Sequence, residues 1–108
     1  MAAPTITLEG RVVGDLQFKY LDDGRALCRL RMVCVDRRNV DGRWVDGEEF
    51  WITVSMFRSL AERVYESIRD RDQIIVVGKL TTSEWIDEDG RKQSTPKVVA
   101  HNVGPSLL

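Results

Sequence analysis

The chain has 108 residues, a formal net charge of −1 and a sequence pI of about 5.8. This length suits one domain and is too short for two, and a chain with 43% hydrophobic and 31% charged residues is globular rather than disordered. No apolar run approaches the roughly 20 residues of a membrane helix, and the first residues lack a signal-peptide pattern, so we expect a cytoplasmic protein. The overall charge gives no support to nucleic-acid binding, and any such function needs a local surface.

The first part of the chain predicts two strands joined through an Asp-Gly turn at residues 21–25. Alternating apolar residues predict the first strand over residues 5–13 and the second over residues 26–35. In the second, Arg29 and Arg31 lie side by side on the outward face, while Cys28 and Cys34 face inward. The two cysteines would lie about 20 Å apart along this strand, too far for a disulfide with each other. Buried thiols are expected, and an intersubunit disulfide or a reactive thiol stays open.

Residues 36–48 are polar and contain two glycines, which predicts a long hairpin loop with Trp44 near its tip. A large apolar ring in an exposed loop suggests a binding partner. The third strand is predicted over residues 49–57, with one apolar face and a second face that carries Trp51, Thr53, Ser55 and Phe57. That second face suits the stacking of flat rings in partial solvent. The alternative is that its two aromatic rings pack beneath a neighbouring loop.

The second part of the chain predicts one helix and two more strands. Helical spacing covers residues 59–69, with Ser59 as N-cap and Glu62 completing a capping box. A fourth strand over residues 73–82 leads to a hairpin with Trp85 before its acidic turn, and a fifth strand covers residues 97–103. Five strands with a helix between the third and fourth follow the order of an OB-fold barrel, and one such domain over residues 1–108 is predicted.

The sequence offers little for catalysis. His101 is the only histidine, it lies in a mostly apolar row, and we expect a structural role for it. The chain has no recognisable nucleophile motif, no Cys-x-x-Cys pair and no phosphate-binding glycine loop. The acidic run at residues 87–89 is expected to be a solvated turn, with weak cation binding as the alternative. We therefore predict a protein that is not an enzyme and that has no metal or cofactor.

Nucleic-acid binding has more support. Proteins that bind single strands combine a cationic groove with aromatic platforms. Arginine, which both stacks on bases and pairs with phosphates, outnumbers lysine by twelve to four. The predicted second and third strands form the usual ligand face of an OB-fold, and the two protruding hairpins flank that face. The predicted contact residues are Trp51, Phe57, Trp85, Trp44, Arg29, Arg31, Arg37, Arg38, Thr53 and Lys79.

Three motifs resemble the bacterial single-stranded DNA-binding protein family. They are EFWITVSMF at residues 49–57 followed by LAE at 60–62, then VGKL at 77–80 with TSEW at 82–85 and Asp89-Gly90, and VGP at 103–105. The resemblance covers nearly the whole chain, from about residue 5 to residue 107. The arginine-rich loops and the closing Val-Gly-Pro resemble an actinobacterial type of paralogue.

This resemblance implies an OB-fold that binds and protects single-stranded DNA, without sequence preference, in replication, recombination and repair. It places Trp51, Phe57 and Trp85 at the family's base-stacking positions. It also implies a homotetramer that wraps DNA around its subunits, or a dimer formed through the first strand.

The sequence departs from the family pattern at three points. The tryptophan usual at the end of the second strand is absent near Arg38, and Ile52 replaces a histidine that often follows the third-strand tryptophan. The first change removes one stacking platform, and the second weakens the inference of tetramer geometry. The sequence also stops at Leu108 without the acidic tail that recruits repair enzymes. Either it is a trimmed piece or a paralogue without that role, and tail-mediated partners are doubtful.

Two other functions remain open, because a fold does not fix a function. The mildly acidic pI suits a protein-interaction module, such as an accessory subunit of a replication or conjugation complex without strong DNA binding. The third possibility is an OB-fold that binds RNA or other oligonucleotides.

Overall fold

A computed structural model describes residues 3–107. The elements in chain order are β1 (Thr5–Val12), β2 (Gln17–Tyr20), β3 (Ala26–Val40), β4 (Arg43–Phe57), α1 (Arg58–Ser67), β5 (Gln73–Ile86) and β6 (Lys92–Pro105). A mainly β fold with one helix after the Trp51 strand confirms the predicted class. The five predicted strands are all present, and the short β2 is an additional strand that was not predicted. Its four residues are too few to show a clear alternation of apolar and polar side chains.

The strands form one sheet in the order β1-β5-β6-β4-β3-β2. An additional pairing of β1 with β3, at Arg11–Val33 and Val12–Met32, closes five of these strands into a ring. Strand β2 lies outside the ring and, among the strands of residues 3–107, pairs with β3 alone. All pairings are antiparallel except that of β4 with β6.

The ring can close because Gly10 has no side chain. A Cβ atom at Gly10 would lie 2.4 Å from the carbonyl oxygen of Val33, well inside van der Waals contact. Glycine therefore allows β1 to approach β3 closely at the point where the two strands begin to pair.

The core fills the ring with alternate side chains of its strands, as the two-residue period of a strand requires. Helix α1 covers it with Ala61 and Val64, and Ile68 at the C-cap adds to the same cluster. The buried strand residues of this cluster are Val12, Ala26, Cys28, Leu30, Met32, Ile52, Val54, Met56, Ile74, Val76, Val98 and Ala100. The inward orientation predicted for Cys28 is thus observed. On the third strand it is observed for Ile52, Val54 and Met56, whereas Phe50, predicted on the same apolar face, is 48% exposed.

The region predicted to be a long loop is instead a two-stranded ribbon, here named the β3–β4 hairpin (residues 36–48). It turns at Asp41 and Gly42, which have φ angles of 51° and 81°, as in the tight turns that match strand twist. The side-chain oxygen of Asn39 accepts a hydrogen bond of 3.0 Å from the backbone N–H of Gly42. The polar side chains of residues 36–48 suggested a loop. Backbone pairing between the two strands keeps these residues extended, although their side chains do not pack into the core.

Two local predictions are also wrong. Helix α1 begins at Arg58, with extended Phe57 at the N-cap and no side-chain cap, so Ser59 and Glu62 form no capping box. His101 is exposed and does not lie in the apolar row, because β5 and β6 slip by one residue beside it: Gly78 pairs with Ala100, whereas Val77 pairs with Asn102.

Candidate nucleic-acid interface

The side of β3 and β4 that points away from the core carries two arginines beside hydroxyl side chains. Arg29 lies opposite Ser55 and Arg31 lies opposite Thr53 in the antiparallel register. Both arginines are exposed, although the residues that alternate with them are buried in the core. The predicted pairing of two cations on the outward side of this strand is thus present in the fold.

The same surface continues across β6 and β5, and we name it the outer face. Thr53 neighbours Lys97 of β6, and Ser55 neighbours Val99, which in turn pairs with Lys79 of β5. The outer face comprises Leu27, Arg29, Arg31, Val33, Trp51, Thr53, Ser55, Phe57, Lys79, Thr81, Lys97 and Val99. Lys97 was not among the predicted contact residues. The apolar Val98 and Ala100, which point to the core, were a signal that could have placed the Lys97 side chain on the outward side of the same strand.

Trp51 is held at its edge and covered on one side. Its indole Nε1 donates a hydrogen bond of 2.9 Å to Oε2 of Glu49. The Cζ atom of Arg31 lies 5.4 Å from the centroid of the indole ring, within cation–π range. The side chain is 40% exposed, so part of the ring stays open to solvent. Trp51 is therefore a fixed aromatic platform next to a cation.

Phe57 has a similar arrangement at the other end of the outer face. The Cζ atom of Arg25 lies 5.4 Å from its ring centroid, and Asp23 accepts a 2.6 Å hydrogen bond from Nε of Arg25. Hydrogen bonds from the backbone and the side chain of Arg25 lower the pKa of Asp23, so this carboxylate keeps its charge in the ion pair. Arg25 was not a predicted contact residue, because in the sequence it reads as the end of a turn.

The two hairpins carry the other predicted aromatic residues. Trp44 is 64% exposed on the β3–β4 hairpin, opposite Asn39. Trp85 is 48% exposed on the hairpin that joins β5 to β6, opposite Gln93. Both rings are therefore available to a ligand at the margins of the outer face.

The neighbouring arginines of the β3–β4 hairpin point in opposite directions, since successive side chains of a strand alternate. Arg37 lies on the same side as Trp44 and forms an ion pair of 3.5 Å with Asp46. Arg38 lies opposite Val45 on the other side. The fold thus gathers Trp51, Phe57, Thr53, Arg29, Arg31 and Lys79 on one face, places Trp44, Trp85 and Arg37 beside it, and separates Arg38 from Arg37.

Both cysteines are free thiols, Cys28 fully buried and Cys34 partly buried. Burial raises the pKa of Cys28 to about 11 and also raises the pKa of Cys34. Within residues 3–107, no three His, Cys, Asp or Glu side chains are grouped so that they could hold a metal ion. The helix in this range is too short to span a bilayer.

Comparisons with known proteins agree with the resemblance stated from the motifs. Residues 4–106 match the sequence model of a family described as the single-strand binding protein family. A single-stranded DNA-binding protein from Corynebacterium glutamicum is 34% identical over 104 residues, which cover 94% of this chain and 46% of that protein. Single-stranded DNA-binding protein 2 from Streptomyces coelicolor is 32% identical over 110 aligned positions, and the match covers 99% of this chain and 55% of that protein.

A solved structure matches over the full fold. The crystal structure of a small single-stranded DNA-binding protein from Streptomyces coelicolor superposes with a TM-score of 0.88 at 25% identity, covering 99% of this chain and 97% of that one. The predicted resemblance and the OB-fold are thereby confirmed, and the actinobacterial character agrees with the sources of these relatives. The chain spans about half the length of the two sequence relatives.

Proposed function

The chain belongs to the single-strand binding protein family, and from this premise we propose that it binds single-stranded DNA without sequence preference along its outer face. The observation that carries the proposal is the meeting of cations and aromatic rings on one surface: Arg31 lies over Trp51, and Arg25 lies over Phe57. Bases stack on such rings whatever their identity, while neighbouring cations neutralise the phosphates.

The charge distribution supports this assignment more than the total charge does. The chain as a whole carries a net charge of −1, but the outer face carries Arg29, Arg31, Lys79 and Lys97, with Glu49 at its margin bonded to Trp51. A polyanion would therefore be attracted to this face locally. Thr53 is partly exposed between the cations and adds a hydroxyl group that can bond to phosphates or base edges, whereas Ser55 is buried.

The biological role we propose is protection of single-stranded DNA during replication, recombination and repair, in the cytoplasm and by binding alone. Family membership supports a binding role rather than catalysis. The hairpin residues Trp44, Trp85, Arg37 and Arg38 are proposed to contact DNA that extends beyond the outer face.

Self-association through β1 is the second part of the proposal. On one edge β1 pairs with β5 from Thr5 to Arg11, but its other edge pairs with β3 only at Arg11 and Val12. Among the described residues, the stretch Thr5–Glu9 therefore has one edge without a strand partner, and such an edge is ready to pair with another strand. A two-fold pairing of β1 with its copy would give a dimer, and two such dimers a tetramer.

The test is a titration of fluorescently labelled dT oligonucleotides of increasing length, followed by anisotropy. We expect binding that weakens as salt rises. Trp51→Ala should cost about 1–3 kcal/mol, the value of one base–aromatic stack, while Trp51→Phe should keep most of it. Glu66→Ala on α1 is the control.

Failure of the wild-type protein to bind dT at low salt contradicts the proposal, and preference for rU over dT assigns the face to RNA. A stoichiometric protein partner recovered without any DNA affinity would instead select an interaction module.

A further inference from the structure

A groove opens beside the outer face, between β1 and the base of the β3–β4 hairpin. Residues from four strands line it: Glu9, Gly10, Arg11, Val33, Val35, Arg37, Trp44, Asp46 and Gln73. Three of these, Glu9, Arg11 and Gln73, come from β1 and β5 and were not among the predicted contact residues.

The groove continues directly from the proposed binding surface. Val33 at its base lies opposite Trp51 on β4 and opposite Arg11 on β1. Neighbouring strands lie about 4.8 Å apart, so one row of side chains leads from the Trp51 platform into the groove. A polynucleotide that stacks on Trp51 therefore lies next to the groove, separated from it by the buried side chain of Val33.

The lining is suited to a base more than to a phosphate. Arg11 and Arg37 are balanced by Glu9 and Asp46, and Arg37 already pairs with Asp46 at 3.5 Å. The formal charge of the lining is thus zero, which gives a phosphate no net attraction. Trp44 supplies a flat ring that is 64% exposed. The two valines supply an apolar base, and Gln73, Glu9 and Arg11 can hydrogen-bond to the polar edge of a base.

We propose that this groove holds one nucleobase of the same DNA strand that binds the outer face, stacked on Trp44 with Arg11 and Gln73 at its edge. The inference rests on the proposed function and extends it to a second stacking site with new contact residues. Because one strand must reach both places, only oligonucleotides long enough to span from Trp51 to Trp44 gain from the groove.

The experiment compares dissociation constants of the wild type, Trp44→Ala, Gln73→Ala and Glu66→Ala for dT oligonucleotides of increasing length. On short oligonucleotides all four proteins should bind alike. Above a threshold length the Trp44→Ala protein should bind about five- to 150-fold more weakly than the wild type, the equivalent of one lost stack. Gln73→Ala should lose affinity above the same threshold by a smaller factor, and Glu66→Ala on α1 should follow the wild type.

Salt dependence separates a base site from a phosphate site. Because no net charge is removed, the slope of log affinity against log salt should be the same for Trp44→Ala and the wild type.

Equal affinity of Trp44→Ala and wild type at every oligonucleotide length overturns the groove proposal, as does an equal loss of affinity at every length. A changed oligomeric state of Trp44→Ala in light scattering also overturns it, since the groove would then be a contact between copies. If the wild type binds no dT at all, the proposed function itself has failed.

Discussion

The indole Nε1 of Trp51 donates a hydrogen bond of 2.9 Å to Oε2 of Glu49, two residues earlier on β4. An acidic side chain next to a surface proposed to bind a polyanion is electrostatically unfavourable. The hydrogen bond from Trp51 explains why Glu49 lies there, because this bond fixes the plane of the indole while Arg31 lies over the ring. Glu49 is therefore a positioning residue for the Trp51 platform, whose preorganisation lowers the entropy cost of stacking.

Substitutions at Glu49 separate positioning from charge. Glu49→Ala removes both the negative charge and the hydrogen bond, whereas Glu49→Gln removes the charge and keeps an oxygen acceptor for the indole. We expect Glu49→Ala to bind dT about two- to tenfold more weakly, the range of one net hydrogen bond of about 0.5–1.5 kcal/mol. Glu49→Gln should bind as well as the wild type or better. Tighter binding by Glu49→Ala would show that repulsion by the carboxylate outweighs its hold on the ring.

Salt titrations should distinguish the cations of the outer face from arginines elsewhere. Each phosphate contact with a single strand contributes about 0.7 to the slope of log affinity against log salt. Arg29→Ala, Arg31→Ala and Lys97→Ala should each lower the magnitude of that slope by up to this amount. The matched control is Arg63→Ala on α1, which is exposed but lies outside the outer face. An equal fall of the slope in the control would place the bound strand elsewhere.

The close approach of β1 and β3 predicts a large difference between two glycine substitutions. A Cβ at Gly10 would lie 2.4 Å from a backbone oxygen, whereas a Cβ at Gly104 has nothing within 4 Å. Gly10→Ala should lower the free energy of unfolding by about 1–3 kcal/mol or more, as overpacking does. Gly104→Ala should be neutral or slightly stabilising, because alanine restricts the unfolded chain. Chemical denaturation of both variants measures the difference, and equal stabilities would contradict the close approach.

Alkaline pH should destabilise the fold through Cys28. Burial raises the pKa of this thiol from an ordinary value of 9.0 to about 11 in the folded chain. The unfolded state therefore loses its proton first, so the stabilising contribution is complete below pH 9 and is lost as pH rises through about 11. Denaturation curves across this range should show the loss in the wild type and a smaller one in Cys28→Ala. Indistinguishable pH profiles of the two proteins would exclude the thiol as the cause.

Alternation along strands was sufficient to predict much of the candidate site. It placed Arg29 and Arg31 outward, Cys28 inward, and Trp51 and Phe57 together on one face. The β3–β4 hairpin was missed as strand, because its polar side chains carry no apolar period and only backbone pairing across the Asp41–Gly42 turn keeps it extended. The capping box at Ser59 was wrong, because the chain enters α1 directly from extended Phe57.

By itself, the sequence determined the core of the fold and one face of the site, since a two-residue period and a helical period are local properties of the chain. It also determined the family, through motifs that lie close together in sequence. Only the tertiary structure decided which strands meet. Ring closure joins β1 to β3 through Gly10, and the β6 pairing brings Lys97 next to Thr53. It also lays Arg25 over Phe57 and opens a groove between β1 and Trp44. These relations link residues far apart along the chain, and their register is fixed by packing around a shared core, which no local pattern contains.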